Sequence, residues 1–158
     1  MASHKELTAH IAQHLFDHES EWIEMRRGFH RHPEVSYQEF ETTQTIIDLL
    51  TQWGWHVERP LETGCVATWG NPSEWASDTK KIAIRADIDA LPMQEEGMAK
   101  QAFLSEHTGV AHCCGHDAHT TILLGVAQTL AALYSSTHLD PAAPHVVLVF
   151  QPGEETTP

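Results

Sequence analysis

Leu7, Ile11, Leu15, Trp22 and Phe29 recur at roughly helical spacing and predict a helix over 6–31, which Pro33 would stop or bend. Ile46, Ile47, Leu50 and Trp53 predict a second helix over 39–53, with Gly54 placed to end it. Short apolar runs at 55–58 and 65–69 read as strands, and the polar NPSEWASDTK (71–80) reads as a surface connection. KIAIRA (81–86) is the next strand, with Asp87 at its carboxyl end. No periodic element emerges over 92–113, and a loop of that length inside a compact domain points to function or disorder. The segment 118–134 is apolar nearly all round, with Ile122, Val126 and Leu130 one turn apart, and predicts a buried helix. HVVLVF (145–150) is a continuous apolar run, the pattern of a central strand covered on both faces.

Strands alternating with helices predict a layered α/β architecture. Sites in open α/β sheets form beyond the carboxyl ends of strands, where Asp87 and the pair Glu154/Glu155 both fall. The 158 residues are one domain's worth. A net charge of −13 argues against a phosphate-binding surface, so no nucleic-acid partner is expected. Cys65, Cys113 and Cys114 make a poor disulfide framework, and a reducing compartment is the expectation. The opening MASHKELTAH lacks a signal-peptide core and no later run approaches a membrane span, so the expected location is cytoplasmic, without a membrane partner.

HCCGHDAH (112–119) concentrates the chemistry. A structural zinc site needs two separated ligand pairs, and Cys65 is too isolated to supply the second. A cysteine nucleophile at Cys114 needs a spatially adjacent base, on which crowding in sequence is silent. The third reading is half of an open catalytic metal site. Cys114 and His116, two apart, can point the same way in a loop, Gly115 permits a tight backbone, and Asp117 would cap the helix that follows. Thiolate and imidazole suit zinc or a similar divalent metal. Carboxylates to complete the set stand at Glu154 and Glu155, after the tight exit Gln151-Pro152-Gly153. Adjacent acids in such a loop can divide metal binding and general-base work. In IRADIDALP (84–92), Arg85, Asp87 and Asp89 share a period of two, and a carboxylate there could orient a ligand histidine.

RRGFHRHPEVSYQEFETT (26–43), IAIRADIDALPMQEE (82–96), GVAHCCGHDAHTTILLG (109–125) and VVLVFQPGEE (146–155) together resemble the N-terminal half of the aminoacylase/hippurate hydrolase-type metallo-amidohydrolases. The resemblance implies, for 1–158, the N-terminal part of a three-layer α/β/α zinc-peptidase-like catalytic domain, ending before an inserted lid or dimerisation domain. It implies Cys114, His116 and Glu155 as metal ligands, Glu154 as general base and Asp87 as a catalytic aspartate. It further implies two divalent ions (zinc, manganese, cobalt or nickel) and metal-assisted hydrolysis of the amide bond of a small N-acyl amino acid. Arg85 stands where the wider clan has a ligand histidine, which fits the branch that uses a cysteine instead. Cys113 occupies a position that is usually alanine, where it is an alternative soft ligand, an oxidation liability or, the preferred reading, a bystander. The family's two later ligand histidines lie beyond GEETTP, as do the strands expected to flank 145–150. Completion by a homo-oligomer or a separately encoded C-terminal half is therefore expected, and an inactive remnant that at most binds metal is the alternative.

His10, His14 and His18 recur every four residues on the first helix and read as a solvated face. His112 and His119 are near enough to the cluster to support its ligands, while His30, His32, His138 and His145 receive no role.

Overall fold

The computed structural model describes residues 3–76, 78, 80–96, 102–136 and 144–156. His138, the middle of the 92–113 loop and parts of the 71–80 connection lie outside the described residues. Three long helices and four strands appear in the expected order. Helix α1 (His4–Arg31) starts at Ser3, whose hydroxyl accepts from the Glu6 amide while the Glu6 carboxylate reaches back, a capping box. Helix α2 (Phe40–Gln52) has no cap from Glu39; the Glu34 carboxylate accepts from the amides of Glu41 and Thr42 instead, at 3.1 and 2.8 Å. Strands β1 (His56–Glu58), β2 (Cys65–Thr68) and β3 (Lys81–Asp87) precede α3 (His116–Ser135), and β4 (His145–Gln151) follows it.

The sheet order is β1-β2-β4-β3, antiparallel except for the parallel β3/β4 pair. β4 is central, as its sequence predicts, but it is flanked by β2 and β3 from within this chain, contrary to the expectation that its neighbours are missing. β2 supplies one flank by a long-range antiparallel pairing, and the β3–α3–β4 crossover supplies the other as a parallel pair. β3 is the edge beyond β4.

Phe150, Leu148, Cys65, Ala67 and Ala86 face Ile46 and Leu50 of α2 and Leu123, Leu124 and Ala127 of α3 in one core. Trp55 joins it and donates its indole N–H to the Ala127 carbonyl at 3.1 Å. The other sheet face carries Val66, Ala83, Val147 and Val149, exposed or half-buried and outside that core. Helices α2 and α3 thus form, with the sheet, two layers of the expected sandwich, and α1 packs on α3. Gly125 lets the Trp22 ring approach α3, and Trp22 donates to the Gln128 side-chain oxygen at 2.6 Å. The Ile122/Val126/Leu130 stripe, expected to be buried, is covered only in part: Ile122 is 65% exposed, and Val126 and Leu130 are half-buried. A helix apolar all round carries no mark of which face its neighbours will leave open.

Gly64, at φ +74, lies under the exit of β4; a Cβ there would stand 2.5 Å from Pro152 Cδ and 2.6 Å from the Phe150 carbonyl oxygen. Gly64→Ala is expected to cost at least about 2 kcal/mol, from left-handed backbone strain plus overlap with immobile atoms. A shift of the urea unfolding midpoint at unchanged slope measures it.

Candidate metal centre

The parallel register pairs Asp87 with Gln151, so β3 and β4 end side by side and release their following loops at one place. From β3 the chain runs to an isolated bridge between Leu91 and Ala111, which closes the long loop and returns it beside the strand ends. That loop is pinned to the end of α1, where Glu106 N–H donates to the Arg31 carbonyl (2.7 Å) and His107 Nδ1 to the Pro33 carbonyl (2.8 Å). It delivers Cys113, Cys114 and Gly115 to the N-terminus of α3.

His116 opens α3, almost fully buried. Its Nδ1 lies 3.0 Å from the Asp89 carbonyl and 3.1 Å from Asp89 Oδ1, both acceptors, so Nδ1 carries the proton and donates. Nε2 is then aimed at Asp87 Oδ2 (3.5 Å), Glu154 Oε2 (3.6 Å) and Glu155 Oε1 (3.6 Å). The orienting carboxylate is thus Asp89. Its Oδ2 accepts from the Ser36 hydroxyl at 2.7 Å and from the Glu155 amide at 2.8 Å. Burial would raise the Asp89 pKa, but these bonds and the nearby His116 outweigh it and hold the carboxyl below its ordinary value. One residue therefore sets both the ring of His116 and the backbone of Glu155. Asp89→Asn is expected to weaken cation binding roughly 10–100-fold, the usual cost of an outer partner, in a competition titration against a chromophoric chelator.

The donor atoms of Cys114, His116 and Glu155 lie within 4.8 Å of one another. Glu155 Oε1 is buried without a hydrogen-bond partner. Partial desolvation, then the nearby carboxylates of Glu155, Glu154 and Asp87, push the Cys114 thiol pKa up. A soft thiolate, an imidazole lone pair and an orphaned carboxylate oxygen converging in a negative field are the donors a borderline divalent cation takes. The residues fit the metal.

Asp87 sits beside this group. His119 Nδ1 donates to its Oδ1 at 2.6 Å, and Arg85 pairs with Oδ2 at 3.2 Å. Arg85 also donates to the Gln151 side chain at 2.8 Å, tying the two strand ends together. Asp87, His116 and His119 form a second cluster of close donors that shares His116 with the first. Asp117 does not cap α3 as expected: Gly115, at φ 143, is the N-cap, and Asp117 is the second helical residue. Its buried Oδ2 takes His30 Nδ1 at 2.7 Å and Arg26 Nε at 2.8 Å, because α1 crosses there with both side chains. His30 Nε2 reaches Glu95 Oε1 at 2.9 Å. His112 is nearly buried, and burial pushes its pKa down to about 4. Cys65 lies in the core with its thiol pushed up to about 12 by burial, away from any ligand role.

The Glu154/Glu155 loop is held from α2's side. Glu39, fully buried, accepts from the Gly153 amide at 2.9 Å, and the Tyr37 ring covers Gly153 so closely that no side chain fits there. Tyr37 itself takes φ 62, unusual for a non-glycine residue. Ser36, Glu39 and His30 had no assigned part in the site, yet all three lie in RRGFHRHPEVSYQEFETT, whose pattern is the signal that marks them.

Comparison with known proteins shows what this chain is similar to. Residues 83–158 match the model of peptidase family M20/M25/M40. An uncharacterized hydrolase of Staphylococcus haemolyticus is 44% identical over 132 residues, covering 83% of this chain and 32% of the relative. A protein of Synechocystis described as a probable hydrolase is 42% identical over 134 residues, covering 84% of this chain and 32% of the relative. Among solved structures, the Bacillus subtilis YXEP protein, a dinuclear metal-binding M20 peptidase, is 40% identical with a TM-score of 0.72, over 86% of this chain and 35% of that one. A Staphylococcus aureus protein provisionally assigned as an aminohydrolase is 38% identical with a TM-score of 0.78, over 94% of this chain and 36% of that one. The chain spans about a third of the length of the curated relatives it matches. Among the described residues no helix is long and apolar enough to cross a membrane.

Proposed function

We propose that this chain, similar to M20-family peptidases over residues 83–158, forms the N-terminal share of a metal-dependent hydrolase that cleaves the amide bond of N-acyl amino acids. Cys114, His116 and Glu155 hold a divalent cation and Glu154 acts as general base. The observation that carries the reading is the convergence of three unlike donors within 4.8 Å, one of them a buried carboxylate oxygen without a partner. A site of this donor set, with two ions, would supply Lewis-acid polarisation of the scissile carbonyl and of the attacking water.

The chain's own residues do the rest. Asp89 fixes the His116 ring so that Nε2 presents its lone pair to the site. Glu39 and Tyr37 hold the Gly153 turn, and Asp89 the Glu155 amide, so that the two glutamates face opposite tasks. The Glu154 side chain, 42% exposed, can meet solvent water, accept its proton and return that proton to the departing amine nitrogen. Asp87, held by His119 and Arg85, keeps a negative charge beside His116 Nε2. Further ligands would come from outside these 158 residues, and a reducing, cytoplasmic setting suits the three free thiols.

The test compares the wild-type chain with Glu154→Gln for metal content and for hydrolysis of N-acetyl amino acids. The variant is expected to keep its metal and to lose at least about 100-fold in turnover. Turnover that survives the substitution sinks the base assignment. Because the chain covers a third of its relatives, metal binding without any turnover by the wild type would favour the alternative of a metal-binding half-enzyme.

A further inference from the structure

Cys113 and Cys114 are adjacent and both exposed at the mouth of the donor cluster, and Cys114 is one of its three donors. Cys65, the third thiol, is 2% exposed inside the core under β4. An oxidised sulfur at 113 or 114 therefore has one resolving thiol within its own chain, the neighbour. The next residue, Gly115, has nothing within 4 Å of the position a Cβ would take, so no packed atoms crowd that side of the turn.

We propose that Cys113 and Cys114 are an oxidation-sensitive pair that a peroxide closes into a vicinal disulfide, withdrawing Cys114 from the Cys114–His116–Glu155 group. In the first step a cysteine sulfur attacks one peroxide oxygen; the O–O bond breaks, a sulfenic acid forms and one water leaves. In the second step the neighbouring sulfur attacks the sulfenic sulfur; the S–S bond forms, the S–O bond breaks and a second water leaves. Two thiols lose two electrons and two protons, and one peroxide becomes two waters. Adjacent Cα atoms stand about 3.8 Å apart, below the roughly 4.4–6.8 Å of unstrained disulfides. The bond is consequently strained, exposed and readily reduced, which makes it a reversible modification. Cys113 then has a function: it diverts Cys114 from irreversible overoxidation into a state that a thiol reductant repairs. The loss of a metal ligand rests on the metal-hydrolase reading; closure of the disulfide does not.

The full-length chain, stripped of metal, is treated with hydrogen peroxide and followed by intact mass and peptide mapping. The expected result is a loss of about 2 Da located at 113–114 and reversed by dithiothreitol. Cys113→Ala is expected to show no such loss and to accumulate oxygen on Cys114, while Cys65→Ala closes as wild type does. Sulfinic or sulfonic acids as the only products, covalent dimers in place of the internal bond, or a bond to Cys65 would overturn the proposal. Cobalt(II) provides the second readout through its thiolate-to-metal absorption. The reduced chain is expected to show the band and to resist peroxide when loaded, and the oxidised chain to lack the band. Closure at 113–114 in a chain whose reduced form shows no band supports the oxidation site and overturns the metal-hydrolase reading. Closure that leaves cobalt binding intact overturns the withdrawal of Cys114.

Discussion

Replacing Glu155 with alanine is expected to strip the chain of its divalent cation. The Glu155 backbone is held by Asp89, so the substitution removes the carboxylate and leaves the loop in place. Its Oε1 is buried without a partner, so the carboxylate carries a desolvation cost that a cation would offset. Removing it relieves that cost but takes away one of three protein donors. Affinity is expected to fall by more than about 100-fold, beyond the roughly 10–100-fold cost of losing an outer partner. Elemental analysis after dialysis against trace zinc, backed by chelator competition, measures it. Equal metal content in Glu155→Ala and wild type would place the cation elsewhere, with Asp87, His116 and His119 the next cluster to test.

His30→Ala is expected to destabilise the fold by about 3–5 kcal/mol, the range for removing one partner of a buried charged network. His30 is completely buried, and carboxylates flank both ring nitrogens: Asp117 at 2.7 Å and Glu95 at 2.9 Å. Phe103 packs edge-on against the ring, with the Arg26 and Arg27 guanidinium groups over that same phenyl face. Truncation to alanine removes Glu95's imidazole contact, leaves Asp117 with Arg26 and the Ala118 amide, and opens a polar void between α1, α3 and the long loop. Urea denaturation at fixed pH reads the loss as a lowered midpoint. A change below about 1 kcal/mol would mean that water replaces the ring at little cost, and the network would then be ornamental to stability. Because Asp117 follows His116 directly, the same variant is expected to loosen the start of α3 where the ligand sits.

Local pattern carried the elements a long way. The helical spacing of Ile46 and Leu50, the apolar run at 145–150 and the Pro33 and Gly54 stops are properties of short windows, and the structure places helices and strands within a residue or two of those windows. The Ser3–Glu6 capping box, which the reading of 6–31 did not take into account, extends α1 to His4. The convergence of Cys114, His116 and Glu155 was legible because strand ends gather sites in sheets with parallel strands.

What only the tertiary structure decided are the contacts between residues far apart in the chain. The proton on His116 is set by Asp89, 27 positions away, and Asp117 is turned from capping duty by His30, 87 positions away. The glutamate loop is held by Glu39 across 114 positions. No periodicity records such pairings, since a hydrogen bond depends on where two backbones pass each other and not on the residues between them. The same holds for the Ile122 stripe: composition made α3 apolar, and the placement of α1 and β3 chose which side stayed open. The amino-acid sequence by itself determined the elements and the chemistry of the donors; the packing of the elements determined which nitrogen, which oxygen and which face do the work.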